Sequence, residues 1–447
     1  MADCQVPWGD TKLSLPLPEN WTLAQLASPA ARPAPTDWPE RLAVALTRPE
    51  GMPPLADLLT KLPPQGRIML VLEDITRHSP LTEILPIILR EIEHARIRDE
   101  QVEVIFASGM HPPMTPEQVR DKIGPLADRF AWRCNDCHNP KLHKHLGSVP
   151  LAEGHEPLEI AIDQRVAEAD LRIVVTSVTP HLQAGFGGGA KMFVPGCAQL
   201  HTISHLHSDS LPSDDGQQLV GSEGVRNPMR QMIDAAGDLI DASGGRTFSI
   251  QYLLDDNDKP SAIATGDLKQ GQQMLAKQCA AVAGIMVDAP ADILITDAAP
   301  RDYDLWQSFK CIANTRWAVR ENGVIIVLAR CPGGMNMPTV RWPLSPTWTR
   351  RVVRLLGVKG IVSMSHRLMP RVHHEARFFI QLATETIYRN PILMYAPELL
   401  SRGQKFPGLA MYGDLQKTFA AADSLLGEGS RRVLVFSAGG ASYPIMR

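Results

Sequence analysis

The sequence predicts an α/β protein of two α/β domains, with mostly parallel sheets and an interdomain active-site cleft. Three observations lead there. Short apolar runs, of a length that suits buried strands, recur along the 447 residues between turn residues. Helical patterns separate them, which is the alternation that βαβ units produce. Polar residues cluster directly after several of the runs, where open parallel sheets bind their ligands.

The elements follow in order. Residues 1–60 are rich in Pro and read as an irregular or edge-strand entry. Arg67 to Glu73 reads as a buried strand, an apolar run preceded by Pro-Pro-Gln-Gly. A polar loop from Asp74 to Pro80 comes next, then a helical pattern from about Leu81 to Ile97. The unit repeats: Val102 to Ala107 is strand, Ser108 to Met114 is loop, and Thr115-Pro116-Glu117 opens a helix with Pro in its first turn. Leu171 to Val178, Asp292 to Thr296, Val324 to Leu328 and Val433 to Phe436 are further strands. A helical run from Leu268 to Ile285 stops before Asp288-Ala289-Pro290, which divides the chain into domains of roughly 1–275 and 288–447. The last strand, near Val433, can pack back on the first domain.

Composition narrows the function. Lys plus Arg number 45 against 48 Asp plus Glu, a net charge of -3, without the basic excess of a nucleic-acid binder. No apolar run reaches the ~18 residues of a membrane span. The start of the sequence shows no basic residues followed by an apolar core. Seven Cys, odd and sparse, fit reduced thiols better than a disulfide framework. The expectation is a cytoplasmic protein with no nucleic-acid or membrane partner.

Nine of the 14 His lie from His111 to His207, which reads as a site with several imidazoles. His111 and His181 each sit in a loop after a strand, and Asp74 and Arg77 sit after a third. Acid, base and cation thus reach one sheet edge. In His201-Thr202-Ile203-Ser204-His205-Leu206-His207 a helix would put His201 and His205 on one face and His207 well round it. One metal cannot take all three, and a single His ligand completed by a cofactor is geometrically easier. Gly185-Phe186-Gly187-Gly188-Gly189-Ala190-Lys191 is not a P-loop, because Ala190 and Met192 stand where Gly and a hydroxyl are needed. Its amides can still approach a phosphate, and Lys191 follows at once. Cys134-Asn135-Asp136-Cys137-His138 matches a haem-attachment pattern, but that chemistry requires export, so the segment reads as a loop.

Taken together these motifs resemble the lactate racemase family, whose members use a nickel-pincer nucleotide. The resemblance runs from about residue 65 to the C-terminus. It rests on Asp74-Ile75-Thr76-Arg77, on Gly109-Met110-His111-Pro112, on the long signature Pro180 to Lys191 followed by Pro195-Gly196, and on His207, Asn227-Pro228 and Asp304 to Lys310. It implies a racemase or epimerase that inverts C2 of a 2-hydroxy acid. Lys191 would carry the cofactor covalently and His207 would bind nickel. His111 and His181 would be paired acid/bases. Arg77, Gln307, Lys310 and Trp306 would meet the substrate, and Asp74, Thr76, Arg77, Gly188 and Gly189 would lie on the cofactor side. Cofactor-biosynthesis enzymes would be partners. Ala190 stands where the family has Arg, and Trp306 where it has Tyr; both bear on which substrate is taken.

The chemistry suits these residue types. The C2 hydrogen is weakly acidic beside a carboxylate, so it leaves more easily as hydride while the hydroxyl loses a proton. Imidazole serves as base or acid near neutral pH, and Arg anchors a carboxylate by its fork. The alternatives are a non-racemising oxidoreductase or lyase on the same scaffold, and a cofactor or nickel carrier. A carrier has no use for two bases.

Overall fold

A computed structural model describes residues 4–150, 157–209, 218–222, 224–335, 344–368, 374–406 and 409–447. The chain forms two compact units. One comprises residues 31–212 and 222–280; the other comprises 1–30, 213–221 and 281–447.

The 31–280 unit is built on six strands in the order Pro260–Gly266, Arg246–Leu254, Leu171–Ser177, Ile68–Leu72, Val102–Phe106, Ala131–Cys134. All pairs are parallel except the first. All five residues of Ile68–Leu72 are buried. Alternation sends Ile68, Leu70 and Leu72 into one apolar core and Met69 and Val71 into another, so both faces are covered. Helix Leu81–His94 covers the first face with Leu81, Ile84, Leu85, Ile88 and Ile92, spaced by three and four. Each such aliphatic side chain contributes about 1.5–3 kcal/mol on burial. Helix Pro116–Ile123 starts at a capping box: Thr115 Oγ1 accepts from Gln118 N (3.2 Å) and Gln118 Oε1 from Thr115 N (2.9 Å).

The other unit holds six parallel strands in the order Ala410–Tyr412, Ile392–Tyr395, Val319–Leu328, Ala291–Asp297, Arg431–Phe436, Trp21–Ala27. Trp21 is tied down by its indole N–H, which donates to Asp423 Oδ1 at 2.7 Å.

The division differs from the expected 1–275 and 288–447. Residues 1–30 join the second unit because Trp21–Ala27 pairs with Arg431–Phe436. The Val433 strand therefore lies inside the second unit's own sheet, between Ala291–Asp297 and Trp21–Ala27. Residues 4–60 are also more regular than expected, with a hairpin of Cys4–Trp8 and Thr11–Leu15 and helices Trp38–Thr47 and Leu55–Thr60. Pro7 lies within that hairpin's first strand, where an edge tolerates it. The helix expected to run to Ile285 ends at Ala283, and Gly284–Val287 is strand. Among the described residues no helix is long and apolar enough to cross a membrane.

Candidate active site

From Ile68–Leu72 the chain steps outward to Val102–Phe106 and Ala131–Cys134, then returns to Leu171–Ser177 on the opposite side. The carboxyl ends of these central strands form a topological switch point, the place where open α/β sheets bind ligands. The loops carrying Asp74 and Arg77, His111, and His181 leave three adjacent strands there.

Asp74 and His111 form one unit. Asp74 is 4% exposed, and its Oδ2 lies 2.5 Å from His111 Nδ1. Its Oδ1 accepts from Thr76 N (3.0 Å) and Thr76 Oγ1 (2.5 Å). Arg77 Nη1 donates in turn to Thr76 Oγ1 at 3.0 Å. Burial alone would raise the Asp74 pKa. The bond and charge of His111, the charge of Arg77 and the Thr76 hydroxyl outweigh it and bring it down to about 2. Asp74 is therefore a carboxylate at neutral pH and a fixed acceptor for His111. Its contacts make it the residue that orients His111.

Beneath this pair lies a buried polar framework that the sequence did not reveal. Glu73 accepts from Ser79 Oγ, Thr176 Oγ1 (2.9 Å), Ser177 N (2.9 Å) and Ser177 Oγ (2.8 Å), so it joins the Asp74 loop to the strand that leads to His181. Lys122 donates to the carbonyls of Arg77 and Ser79. Burial lowers the Lys122 pKa, and the Glu73 and Asp74 carboxylates oppose that shift. Asn135 Nδ2 donates to Gly109 O (3.4 Å) and Ala198 O (3.0 Å), fixing the His111 loop from the other side. This gives the Cys134 to Cys137 segment a structural use. It is part strand, not all loop, since Ala131–Cys134 ends in it, and both thiols are free.

His181 Nδ1 accepts from the backbone N–H groups of Gln183 (3.3 Å) and Ala184 (3.0 Å). The glycine loop that follows is buried and internally bonded. Gly187 N donates to Thr179 O and Gly189 N to Gln251 Oε1, so those two amides are not phosphate donors as the sequence suggested. Gly188 has a φ of 73°, and a Cβ there would come within 2.7 Å of Val178 Cγ2. Gly188 and Gly189 thus serve close packing. Ala190 is buried, and a Cβ at Gly237 would come within 2.7 Å of its Cβ, so its small side chain is closely packed there. Lys191, next in the same 3-10 turn Gly189–Met192, is half-buried.

Helix Leu200–Asp209 places His201 and His205 on one face, ring centroids 4.3 Å apart, while His207 is buried. His207 Nδ1 lies 2.7 Å from Ile203 O, and Gln183 Nε2 donates to His207 O at 3.2 Å. A carbonyl only accepts, so Nδ1 carries the proton and Nε2 carries the lone pair that a metal takes. That chemistry fits a single nickel ligand. Among the described residues no three His, Cys, Asp or Glu side chains gather to hold an ion by themselves.

Trp306, Gln307 and Lys310 belong to the second unit, half-buried in the first turns of helix Leu305–Thr315. Asp304 caps that helix through Gln307 N (2.7 Å), and Lys310 Nζ donates to Gln307 Oε1 (2.6 Å). This unit's sheet has its own switch point, between Ala291–Asp297 and Arg431–Phe436. Gly439-Gly440 fills it so closely that a Cβ at Gly439 would strike Thr296 Oγ1 and one at Gly440 would strike Ala298 O. Asp297 is 1% exposed there. Its Oδ1 accepts from Ala299 N (3.0 Å), and its Oδ2 has no hydrogen-bond partner among the described residues. Burial pushes its pKa up to about 8.

The lactate racemase N-terminal domain family model matches residues 8–218. A lactate racemase of Thermoanaerobacterium thermosaccharolyticum is 28% identical over 341 residues, 75% of this chain and 76% of the relative. One from Lactiplantibacillus plantarum is 25% identical over 275 residues, 60% of this chain and 61% of the relative. The lactate racemase apoprotein structure from T. thermosaccharolyticum superposes with a TM-score of 0.81 over 100% of both chains at 21% identity. A Thermotoga maritima protein superposes at 0.63, covering 92% of this chain and 98% of its own, at 18% identity. The chain resembles lactate racemases over most of its length, and its residues 8–218 match the family model of the lactate racemase N-terminal domain.

Proposed function

We propose that this chain is a racemase or epimerase that inverts the C2 centre of a small 2-hydroxy acid, with a nickel-pincer nucleotide attached through Lys191 and its nickel ligated by His207. The observation that carries this reading is the Asp74–His111 pair at the switch point: an ionised, buried carboxylate 2.5 Å from an imidazole that reaches solvent. Such a pair is built to move a proton, which a carrier does not need. When bound, the cofactor supplies the hydride acceptor. The chain's residues do the rest. His111 takes the hydroxyl proton at Nε2 while Asp74 stabilises the imidazolium that forms, and His181 attends the same oxygen from a neighbouring loop. Arg77 offers its guanidinium to the substrate carboxylate. Gln307, Lys310 and Trp306 are given substrate contacts by the resemblance, with Trp306 bearing on the choice of side chain.

The test is intact-mass spectrometry of protein co-expressed with cofactor-biosynthesis enzymes, followed by polarimetry on pure enantiomers of several 2-hydroxy acids. The wild type should carry a covalent adduct and racemise at least one acid, and Lys191→Ala should lose both. An adduct that survives Lys191→Ala refutes the attachment. A loaded protein that racemises nothing refutes the activity.

A further inference from the structure

Two imidazoles of identical chemistry are held in opposite tautomers. At His111 the partner is a carboxylate that stays ionised down to about pH 2, so Nδ1 carries the proton shared with Asp74 and Nε2 carries the lone pair. At His181 the chain turns back on its own ring, and the N–H groups of Gln183 and Ala184 both point at Nδ1. Two donors demand an acceptor. Nδ1 of His181 therefore holds a lone pair, and the proton sits on Nε2.

We infer that the resting protein is polarised across its substrate, with His111 the proton acceptor and His181 a neutral hydrogen-bond donor to the reacting oxygen, so that the two enantiomers are not handled alike. This rests on the racemase reading and divides the labour within it. For the enantiomer whose hydroxyl meets His111, the O–H proton would pass to Nε2 as oxygen and C2 become a carbonyl, the cofactor supplying the acceptor for the C2 hydride. For the mirror image the hydroxyl meets an N–H. Before His181 can accept that proton, its own must move to Nδ1, against the two peptide N–H groups that point at it. A neutral imidazole held this way polarises a carbonyl well and takes up a proton poorly.

The test has one arm without cofactor and one with it. Nitrogen-15 NMR of histidine-labelled apoprotein, assigned through His111→Gln and His181→Gln, should show a lone pair on Nε2 of His111 and on Nδ1 of His181. Should His181→Gln not fold, His181→Asn makes the same assignment. A proton on Nδ1 of His181, or rapid averaging between its two nitrogens, overturns the inference. In loaded protein mixed with each pure enantiomer, the first cofactor reduction should be faster for one by on the order of 10²-fold, the lower end of what a positioned acid or base contributes; equal rates overturn it as well. The NMR arm decides the tautomers whatever the reactivity, so a loaded protein reduced by neither enantiomer would count against the racemase reading alone.

Discussion

The two six-stranded sheets reverse their connections at the same kind of point and treat it in opposite ways. Between Ile68–Leu72 and Leu171–Ser177 the edge carries Asp74, Arg77 and the loops of His111 and His181, cross-linked from below by Glu73 and Lys122. Between Ala291–Asp297 and Arg431–Phe436 it is closed by Gly439-Gly440 pressed onto backbone. Each edge buries an aspartate, 4% exposed at Asp74 and 1% at Asp297, yet one pKa falls to about 2 and the other rises to about 8. Burial acts in the same direction on both. Partners make the difference: Asp74 has an imidazole, a hydroxyl, an amide and a nearby guanidinium, whereas Asp297 has one amide, and the Asp302 carboxylate near it opposes the Arg330 guanidinium. A buried carboxylate becomes chemically useful through what surrounds it.

The largest effect should come from Asp74→Asn. It removes the charge that holds the proton on His111 Nδ1, and racemisation should fall by about 10²–10⁴-fold with the fold intact by circular dichroism. Asp297→Asn, at the closed edge, is the direct contrast; a comparable loss of activity there would break the comparison. Its expected effect is on stability. The folded pKa of Asp297 lies above its ordinary value of 3.8, so the folded state holds the extra proton and loses stability as pH rises from about 4 through about 8. The slope cannot exceed about 1.4 kcal/mol per pH unit. Urea midpoints at pH 6 and pH 9 should converge in Asp297→Asn and differ in the wild type. The smallest effect is expected from Thr76→Val, which removes one hydroxyl bond to Asp74. The Asp74 pKa is depressed, so its contribution is complete above about pH 4 and lost as pH falls towards 2. Thr76→Val should cost about 1–2 kcal/mol at neutral pH and shift acid unfolding to a less acidic midpoint; an unchanged midpoint would mean that the Thr76 hydroxyl does not hold the carboxylate.

Strands made of plain apolar runs were legible in the sequence, Ile68–Leu72 and Leu171–Ser177 to within a residue or two at either end. Arg246–Leu254 was not, because Thr247, Ser249 and Gln251 are buried polar residues that break the apolar run. Their partners include Arg172, Gly189 and Gly266, which lie on other elements. The His111, His181 and Asp74 loops were legible as positions on one edge, since strand ends can be read locally. The bond between Asp74 and His111, 37 residues apart, depends on strand register and could not be read. Nothing in the sequence singles out Lys122; only packing shows that it bonds the carbonyls of Arg77 and Ser79. The tautomer of His181 follows from where two peptide N–H groups point, which no residue type announces.

The pairing of Trp21–Ala27 with Arg431–Phe436 has a consequence for biosynthesis. The indole of Trp21 meets a carboxylate 402 residues later. Closing so long a loop adds little to the equilibrium cost, because closure entropy grows only with the logarithm of length. In time the cost is larger. A ribosome delivers the whole 31–280 unit before Arg431–Phe436 exists, so Trp21–Ala27 must wait for its partner until that unit has been made. An unpaired strand is a template for wrong partners. The second sheet is thus completed only after the 31–280 unit has been made, and Trp21–Ala27 is open to wrong pairing until then.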